Sequence, residues 1–568
     1  MNNSPTFSPL DLCMRDGVRL ASQYWAPQPA AASRPLPILL CRTAQPLTRL
    51  ERFVQELTLL GYPVVLQSVR GRGNSRGKFR PYFQECEDGA DTILALLREK
   101  LVGDNGVLPI GLGYDGQTAL SLALSAPPEL LRGLAASAPS ASHFLAGLCT
   151  NGLPSGPSLY HLAQWLPKNV RPRRAAFAAW LAQPRWAPGV SPFASAPTLE
   201  EWVLEMRGNA AFTPFWKHPA LCPRAYLRQL PDLPTFLAAG TSATTCAGTM
   251  SLAQQLSSRN SSPLEIWMGE WDDDTLEDYA PDAPVARRLL EWLKTFSQKN
   301  AADAPGQRNI NYLIQEVDEP PDWQHWSNWP SLNQDTQELY LAPGRLGTRP
   351  PATSANDDFL DNPLDPPPAS APWSFAPCEP RFGEFHLPLA VRGDLLAFTS
   401  PPFATPIKVL GAPRLRLRVA SNRPDTQFLA RLVLLPPSGP ARAIAFGAAR
   451  LALRYGAEQL VAYSPTADAS TTLNLPLQPI AWQLPAGTRL RLEVSTNDFP
   501  RFPLAANALP EKKSPAAPRS VRNTIEFDTR GTSRLTLPIF NKDPPGEPSN
   551  ELPIPPGNSE TNSTEELL

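Results

Sequence analysis

The first 145 residues interleave two hydrophobic periods. Short apolar runs at Leu36–Cys41, Val64–Ser68 and Val107–Gly111 have the length and composition of buried strands. Between them, Leu47–Leu60 and Glu87–Leu101 repeat apolar residues at helical spacing. Asp16-Gly17 is a hairpin-turn signal ahead of a strand over Val18–Trp25. A helix over Gly116–Ala126 and a strand over Gly133–Ala138 continue the alternation, which predicts an α/β sheet.

From about 145 to 229 the pattern turns helical and is punctuated by Pro and Trp, as in LYHLAQWL, AAFAAWLAQ and LEEWVLEM. This reads as a lid inserted into the sheet domain. The α/β pattern resumes with a strand at Pro234–Gly240, a helix through Met250–Leu256, a strand at Leu264–Met268 and a last helix at Pro284–Ser297. Beyond about 305, period-2 stretches such as Leu415–Val419, Phe428–Leu434, Thr488–Val494 and Ser533–Phe540 are separated by proline-rich connections. Many short antiparallel strands follow, arranged as a sandwich or jelly roll. The expected organisation is an α/β domain over 1–144 and 230–300, a helical lid over 145–229, an all-β sandwich over 301–540 and a disordered Pro/Ser/Asn/Glu-rich tail over 541–568. There is no internal repeat.

Composition changes this picture in three ways. A chain of 568 residues is too long for one core, in keeping with two or three domains. Proline, at 68 residues, excludes a mainly helical bundle. Histidine numbers only 5, so a hydrolytic base of the usual kind must come from a very short roster. A formal net charge of −1 gives no electrostatic reason to expect nucleic acid or an anionic membrane as partner. No signal peptide and no run of about 18 apolar residues is present. The seven cysteines (Cys13, Cys41, Cys86, Cys149, Cys222, Cys246, Cys378) are scattered and form no CxxC pair, which points to thiols in a cytoplasmic compartment and not to a zinc site. No cofactor or metal is expected.

Several ordered segments narrow the field. Met14-Arg15-Asp16-Gly17-Val18-Arg19-Leu20 resembles the opening strand pair of the cocaine esterase / X-Pro dipeptidyl-peptidase family of serine hydrolases. Arg70-Gly71 with Ser75-x-Gly77 is similar to that family's loop after its third or fourth strand. Arg392-Gly393-Asp394 with Phe398-Thr399-Ser400-Pro401, Pro424-Asp425-Thr426-Gln427-Phe428 and Ser495–Arg501 (STNDFPR) resemble three segments of its sandwich. The matches run in order over roughly residues 10 to 540. They imply an α/β-hydrolase domain with a helical lid, followed by an all-β jelly-roll domain.

The resemblance also implies a triad on an elbow of the form G-x-S-Y-x-G. There a serine sits on a strained strand-to-helix turn, a histidine takes its proton and a carboxylate orients the histidine. Here the elbow reads Gly111-Leu112-Gly113-Tyr114-Asp115-Gly116, which puts Gly113 at the nucleophile. The acid position, in Gly240-Thr241-Ser242-Ala243, is Ala243, and the base position, in Gly269-Glu270-Trp271-Asp272-Asp273, is Asp273. The family's oxyanion tyrosine is replaced by Gln45 in Arg42-Thr43-Ala44-Gln45, and Tyr114 follows the nucleophile position as the other oxyanion element. A glycine relaxes a φ-positive elbow that strains serine.

Substitute chemistry has few candidates. His161 and His218 fall in the lid, and His325 and His386 in the sandwich or its approach. His143, after the strand Gly133–Ala138, could act as a displaced base with Ser140, Ser142, Cys149 or Cys246; the alternative is a lid contact. Asp115 could be a carboxylate nucleophile but is read as an aspartate opposing the helix dipole. The run Glu270, Asp272, Asp273, Asp274, Glu277, Asp278 lacks an EF-hand register and reads as a solvated acidic loop. Trp323, Trp326 and Trp329 read as a buried domain junction, against a carbohydrate or cation cage. Arg70, Arg72 and Arg76 read as solvated or carboxylate-paired. The leading expectation is a catalytically degenerate family member. Its pocket takes a small acyl or peptide-like ligand, or the protein serves as a partner or homo-oligomer scaffold. The alternatives are an active ester/amide hydrolase or acyl transferase using displaced residues, and a structural subunit that oligomerises through its β-sandwich.

Overall fold

The computed structural model describes residues 7–28, 35–259, 261–298, 307–317, 319–327, 335–368, 392–466, 470–505, 507 and 520–540. Two expectations fall outside these residues in full, the disordered tail at 541–568 and His386, and so do Trp329 and Cys378.

The apolar runs become the centre of a mainly parallel sheet. In chain order its first half contains β1 (Phe7–Cys13), β2 (Arg19–Trp25), β3 (Ile38–Thr43), α1 (Glu51–Leu59), β4 (Val64–Ser68), α2 (Glu85–Arg98), β5 (Val107–Gly111), α3 (Tyr114–Ser125) and β6 (Leu134–Ser137). A small hairpin, β7 (Cys149–Thr150) with β8 (Leu153–Pro154), leads into the lid helices α4 (Gly156–Gln164), α5 (Arg174–Leu181) and α6 (Pro197–Gly208). The sheet resumes with β9 (Thr235–Gly240), α7 (Cys246–Arg259), β10 (Leu264–Gly269), the single turn α8 (Asp273–Leu276) and α9 (Pro284–Gln298). It closes with β11 (Arg308–Ile314) and β12 (Asp322–Trp326). The strand order is β1-β2-β4-β3-β5-β6-β9-β10-β11-β12, antiparallel at β1/β2, β2/β4 and β11/β12 and parallel between.

Side chains that alternate along each strand separate two cores. Ile38 and Leu40 face one layer with Leu96 of α2, Leu120 of α3 and Leu252 of α7. Leu39 and Cys41 face the other, with Phe53 of α1 and Leu289 of α9. Helices therefore cover both faces, and the strands between them are mainly apolar and buried.

The domain boundary expected at 301 is corrected. β11 pairs in parallel with β10, and β12 adds antiparallel to β11, so the α/β sheet runs on to Trp326. The β domain starts at Asp335 among the described residues. Its thirteen strands wrap a separate core that includes Phe398, Leu432 and Phe446. The family-like segments of this domain carry buried polar ties. Asp425 holds Arg450 at 2.6 Å, Asn497 donates to Asp361 at 2.6 Å, and Arg501 pairs with Asp498 at 2.6 Å.

The lid forms its own aromatic core around Trp180, Trp202 and Trp216, and this core also takes in Tyr82 and Tyr114 of the α/β domain. Backbone ties join lid and sandwich. Gly156 N–H donates to Arg501 O at 2.8 Å, and Phe212 N–H donates to Ala457 O at 2.7 Å.

Candidate active site

The turn between β5 and α3 keeps the elbow conformation, with Gly113 at φ +63° and ψ −125°. Its flanking glycines pack too closely for any side chain. A Cβ on Gly111 would lie 2.0 Å from Asp115 O, and one on Gly116 would lie 2.0 Å from Ser137 O. At Gly113 the obstruction is a side chain. A Cβ there would meet Glu277 Cβ at 2.8 Å, Cγ at 2.9 Å and Oε2 at 3.2 Å.

Glu277 therefore lies over the apex of the elbow, and it is held there from three directions. His161 Nε2, on lid helix α4, pairs with Oε2 at 2.7 Å. Gln45 Nε2, from the loop after β3, donates to Oε1. From below, Tyr279 accepts Leu112 N–H at 2.9 Å and donates to Asp115 Oδ2 at 2.9 Å, which pins the segment after α8 to the elbow. Burial lowers the His161 pKa, but the charge and hydrogen bond of Glu277 outweigh burial and raise it to about 9. At neutral pH this ring is an imidazolium, with no lone pair left to accept a proton.

Asp273, expected at the base position, faces the same cleft. Its oxygens accept Thr244 N–H at 3.2 Å and Thr244 Oγ1 at 3.0 Å. Burial raises its carboxyl to about 6, against the lowering effects of His161 and Thr244. Ala243 is fully buried and brings no carboxylate. Tyr114 turns its hydroxyl away to donate to Glu85 at 2.9 Å, while its backbone N–H opens α3, where a helix leaves its first donors unpaired. Tyr82, Tyr114, His143, His161, Trp165 and Glu277 are among the walls of a cleft of about 60 Å³. That is room for a few waters.

His143 borders this cleft without becoming a base. Its ring lies 4.6 Å from that of Tyr82, neither ring nitrogen has a hydrogen-bond partner among the described residues, and burial lowers its pKa to about 3. Three of the four nucleophiles suggested for it are otherwise engaged or unactivated. Ser140 Oγ donates to Ala146 O at 2.5 Å, and burial raises the thiols of Cys149 and Cys246, the latter to about 12. Asp115 lies beneath the elbow, fully buried, and burial with the nearby Glu277 charge holds its carboxyl well above the usual range.

The acidic run corrects its reading as a solvated loop. Asp272 caps α8 by accepting Thr275 N–H at 2.8 Å, Glu270 accepts Gln315 Nε2 at 3.0 Å, and Glu277 is buried. Trp323 packs on Trp267 at 5.0 Å and Trp326 on Phe540 at 5.7 Å, which places Trp326 at the junction with the β domain. Arg70 pairs with Asp88 and Asp16 at 2.5 and 2.6 Å. Arg72 ties Ala44 O to Trp165 O of the lid, at 2.9 and 3.1 Å.

His161 and Glu277 are the site residues that sequence reasoning passed over. Both carried a weak signal. His161 lies between Leu159 and Leu162, two of the buried positions of α4, and Glu277 follows Asp273 by one helical turn. Neither position reveals that the two meet.

Comparison with known proteins matches residues 16–272 to the X-Pro dipeptidyl-peptidase (S15 family) model and residues 293–536 to the X-Pro dipeptidyl-peptidase C-terminal non-catalytic domain. Cocaine esterase of Rhodococcus sp. (strain MB1 Bresler) is 27% identical over 595 residues, covering 93% of this chain and 97% of that protein. Among solved structures, an aminopeptidase from a marine sediment Thaumarchaeota archaeon superposes with a TM-score of 0.76 at 17% identity, over 95% of this chain and 97% of that one. An α-amino acid ester hydrolase gives 0.75 at 18%, over 95% and 98%. A CocE/NonD family hydrolase from Staphylococcus aureus gives 0.67 at 15%, over 94% and 93%.

Proposed function

The chain belongs to the cocaine esterase / X-Pro dipeptidyl-peptidase family of hydrolases, and on that premise we propose that it is a catalytically degenerate member acting by binding and not by hydrolysis. One observation carries this reading. The space into which a nucleophile side chain on the elbow would project is filled by the Glu277 carboxylate, ion-paired to a lid histidine. Acyl transfer on this fold needs a nucleophile, a base within hydrogen-bond reach and an oxyanion hole. The elbow retains the backbone part of the third requirement. It offers glycine for the first and, for the second, a charged histidine bonded to a carboxylate.

The remaining cleft is too small for an acyl or peptide-like ligand while α4 is docked, so a ligand enters only with the lid displaced or binds elsewhere on the intact frame. The described cysteines, all unpaired, fit a cytoplasmic setting for such a protein.

A fluorophosphonate probe and a panel of simple ester and aminoacyl-anilide substrates test the reading. The expected result is no labelled serine, and no turnover that His143→Ala or His161→Ala alters. A labelled serine in the cleft, or turnover abolished by either variant, overturns it.

A further inference from the structure

A larger cavity lies behind the cleft, on the far side of Thr244, where the α/β domain meets the β domain. It measures about 190 Å³, three times the cleft. An apolar protein cavity of about 150 Å³ already accommodates benzene. Leu145, from the loop after β6, and Ala247, on the first turn of α7, line one side; Phe446 and Leu477 of the β domain line the other.

Most of the lining surface is apolar, with the hydroxyls of Ser142, Thr150, Thr244 and Ser251 and the Asn151 amide set in it, and two further polar groups, Arg224 and Gln478, can together receive an anion. Gln478 is 8% exposed, and its buried Oε1 has no hydrogen-bond partner among the described residues. A buried amide end left unpaired is costly. Because an amide's oxygen and nitrogen exchange on a half-turn, that end can present either an acceptor or two donors. Arg224 lines the same cavity, is exposed, and forms no ion pair with a carboxylate among the described residues. No Asp or Glu is among the described residues that line it. The interior is thus mainly apolar, the only formal charge on its described walls is positive, and the buried Gln478 Oε1 is among the polar atoms that await a partner.

We propose that this interdomain cavity binds a small monocarboxylate with an apolar body, its chain or ring between Leu145, Ala247, Phe446 and Leu477 and its carboxylate between Arg224 and the Gln478 amide. The site shares only Thr244 with the lining of the elbow cleft among these residues, and it requires neither hydrolysis nor its loss.

Calorimetric titration of the full chain with hexanoate and phenylpropionate, against hexanol and phenylpropanol, tests the assignment. The acids are expected to bind saturably with Kd in about the millimolar range or tighter, and the alcohols about tenfold more weakly. Arg224→Gln, on an exposed side chain, should remove that preference without changing Tm. Ala247→Leu should fill the cavity and abolish binding of both acids and alcohols. No saturable binding of either acid below about 10 mM, equal binding of acid and alcohol, or binding that Arg224→Gln leaves unchanged overturns the proposal. Arg224→Gln keeps the test decisive should Ala247→Leu disturb the fold. Ester turnover and fluorophosphonate labelling read the elbow alone, so failure here is separable from failure of the non-hydrolytic reading.

Discussion

At the scale of single residues, Gly113 and Glu277 depend on each other. A serine at 113 would take on a positive φ and press its Cβ against Glu277 Cβ at 2.8 Å. Gly113→Ser should therefore lose roughly 1–3 kcal/mol, read from the urea midpoint, and gain no esterase activity. The two sites should also couple. In a double-mutant cycle, the serine should cost at least about 1 kcal/mol less on a Glu277→Ala background than alone. Additive losses would show that the carboxylate is not what closes the elbow. The positions that the resemblance assigns to a triad could be located because each sits inside a short local motif: Gly113 between close-packed glycines, Ala243 after β9, Asp273 after β10. The replacement was not legible. Glu277 and His161 are brought together only by the docking of the lid, and an acidic run looks the same whether it is solvated or folded into a capped helical turn.

At the scale of elements, the His161–Glu277 pair latches α4 to the α/β domain, and Arg72 adds a second tie from Ala44 to Trp165. The histidine pKa is raised from about 6.5 unfolded to about 9 folded. The pair's stabilisation is thus complete below about pH 6.5 and is lost as pH rises through about 9. With His161 partly exposed, the loss is on the order of 2 kcal/mol. Hydrogen exchange of the α4 amides should accelerate between pH 7 and 10 beyond the intrinsic base-catalysed rate, and His161→Gln should remove that excess. Asp273, raised to about 6, titrates below this window, so its contribution separates from the latch. Equal excess acceleration in wild type and variant would dismiss the latch. Element identity was the most legible level of all. Val64–Ser68 and Val107–Gly111 form as read, because fully buried parallel strands need continuous apolar runs. The lid helices are recognisable from their aromatic spacing, but nothing in that spacing says which surface they cover.

At the scale of the whole molecule, the change of hydrophobic period near 305 does not coincide with the end of the α/β sheet, which runs on to Trp326. β11 reads RNINYLI, broken by polar residues where a buried α/β strand is a continuous apolar run, yet it extends the α/β sheet. It also joins the β domain directly: Gln315, just past its end, donates to Ala481 O at 2.9 Å and accepts Gln483 N–H at 2.8 Å. A strand that serves two sheets carries the pattern of neither. The consequence can be measured on two fragments. A chain ending at 300 leaves β10 as an unpaired edge and strips Trp323 from Trp267 and Trp271, whose rings lie 5.0 and 5.9 Å from it. A chain ending at 327 keeps both strands and loses their ties to the β domain, among them Trp326 to Phe540 and Gln315 to Ala481 and Gln483, with the lid's bonds to Arg501 and Ala457. The longer fragment should run as a monomer on size exclusion and resist limited proteolysis, although less than the whole protein, while the shorter one should aggregate. Equal solubility and protease resistance of the two would mean that β11 and β12 are accessories of the β domain and that the α/β sheet is complete without them.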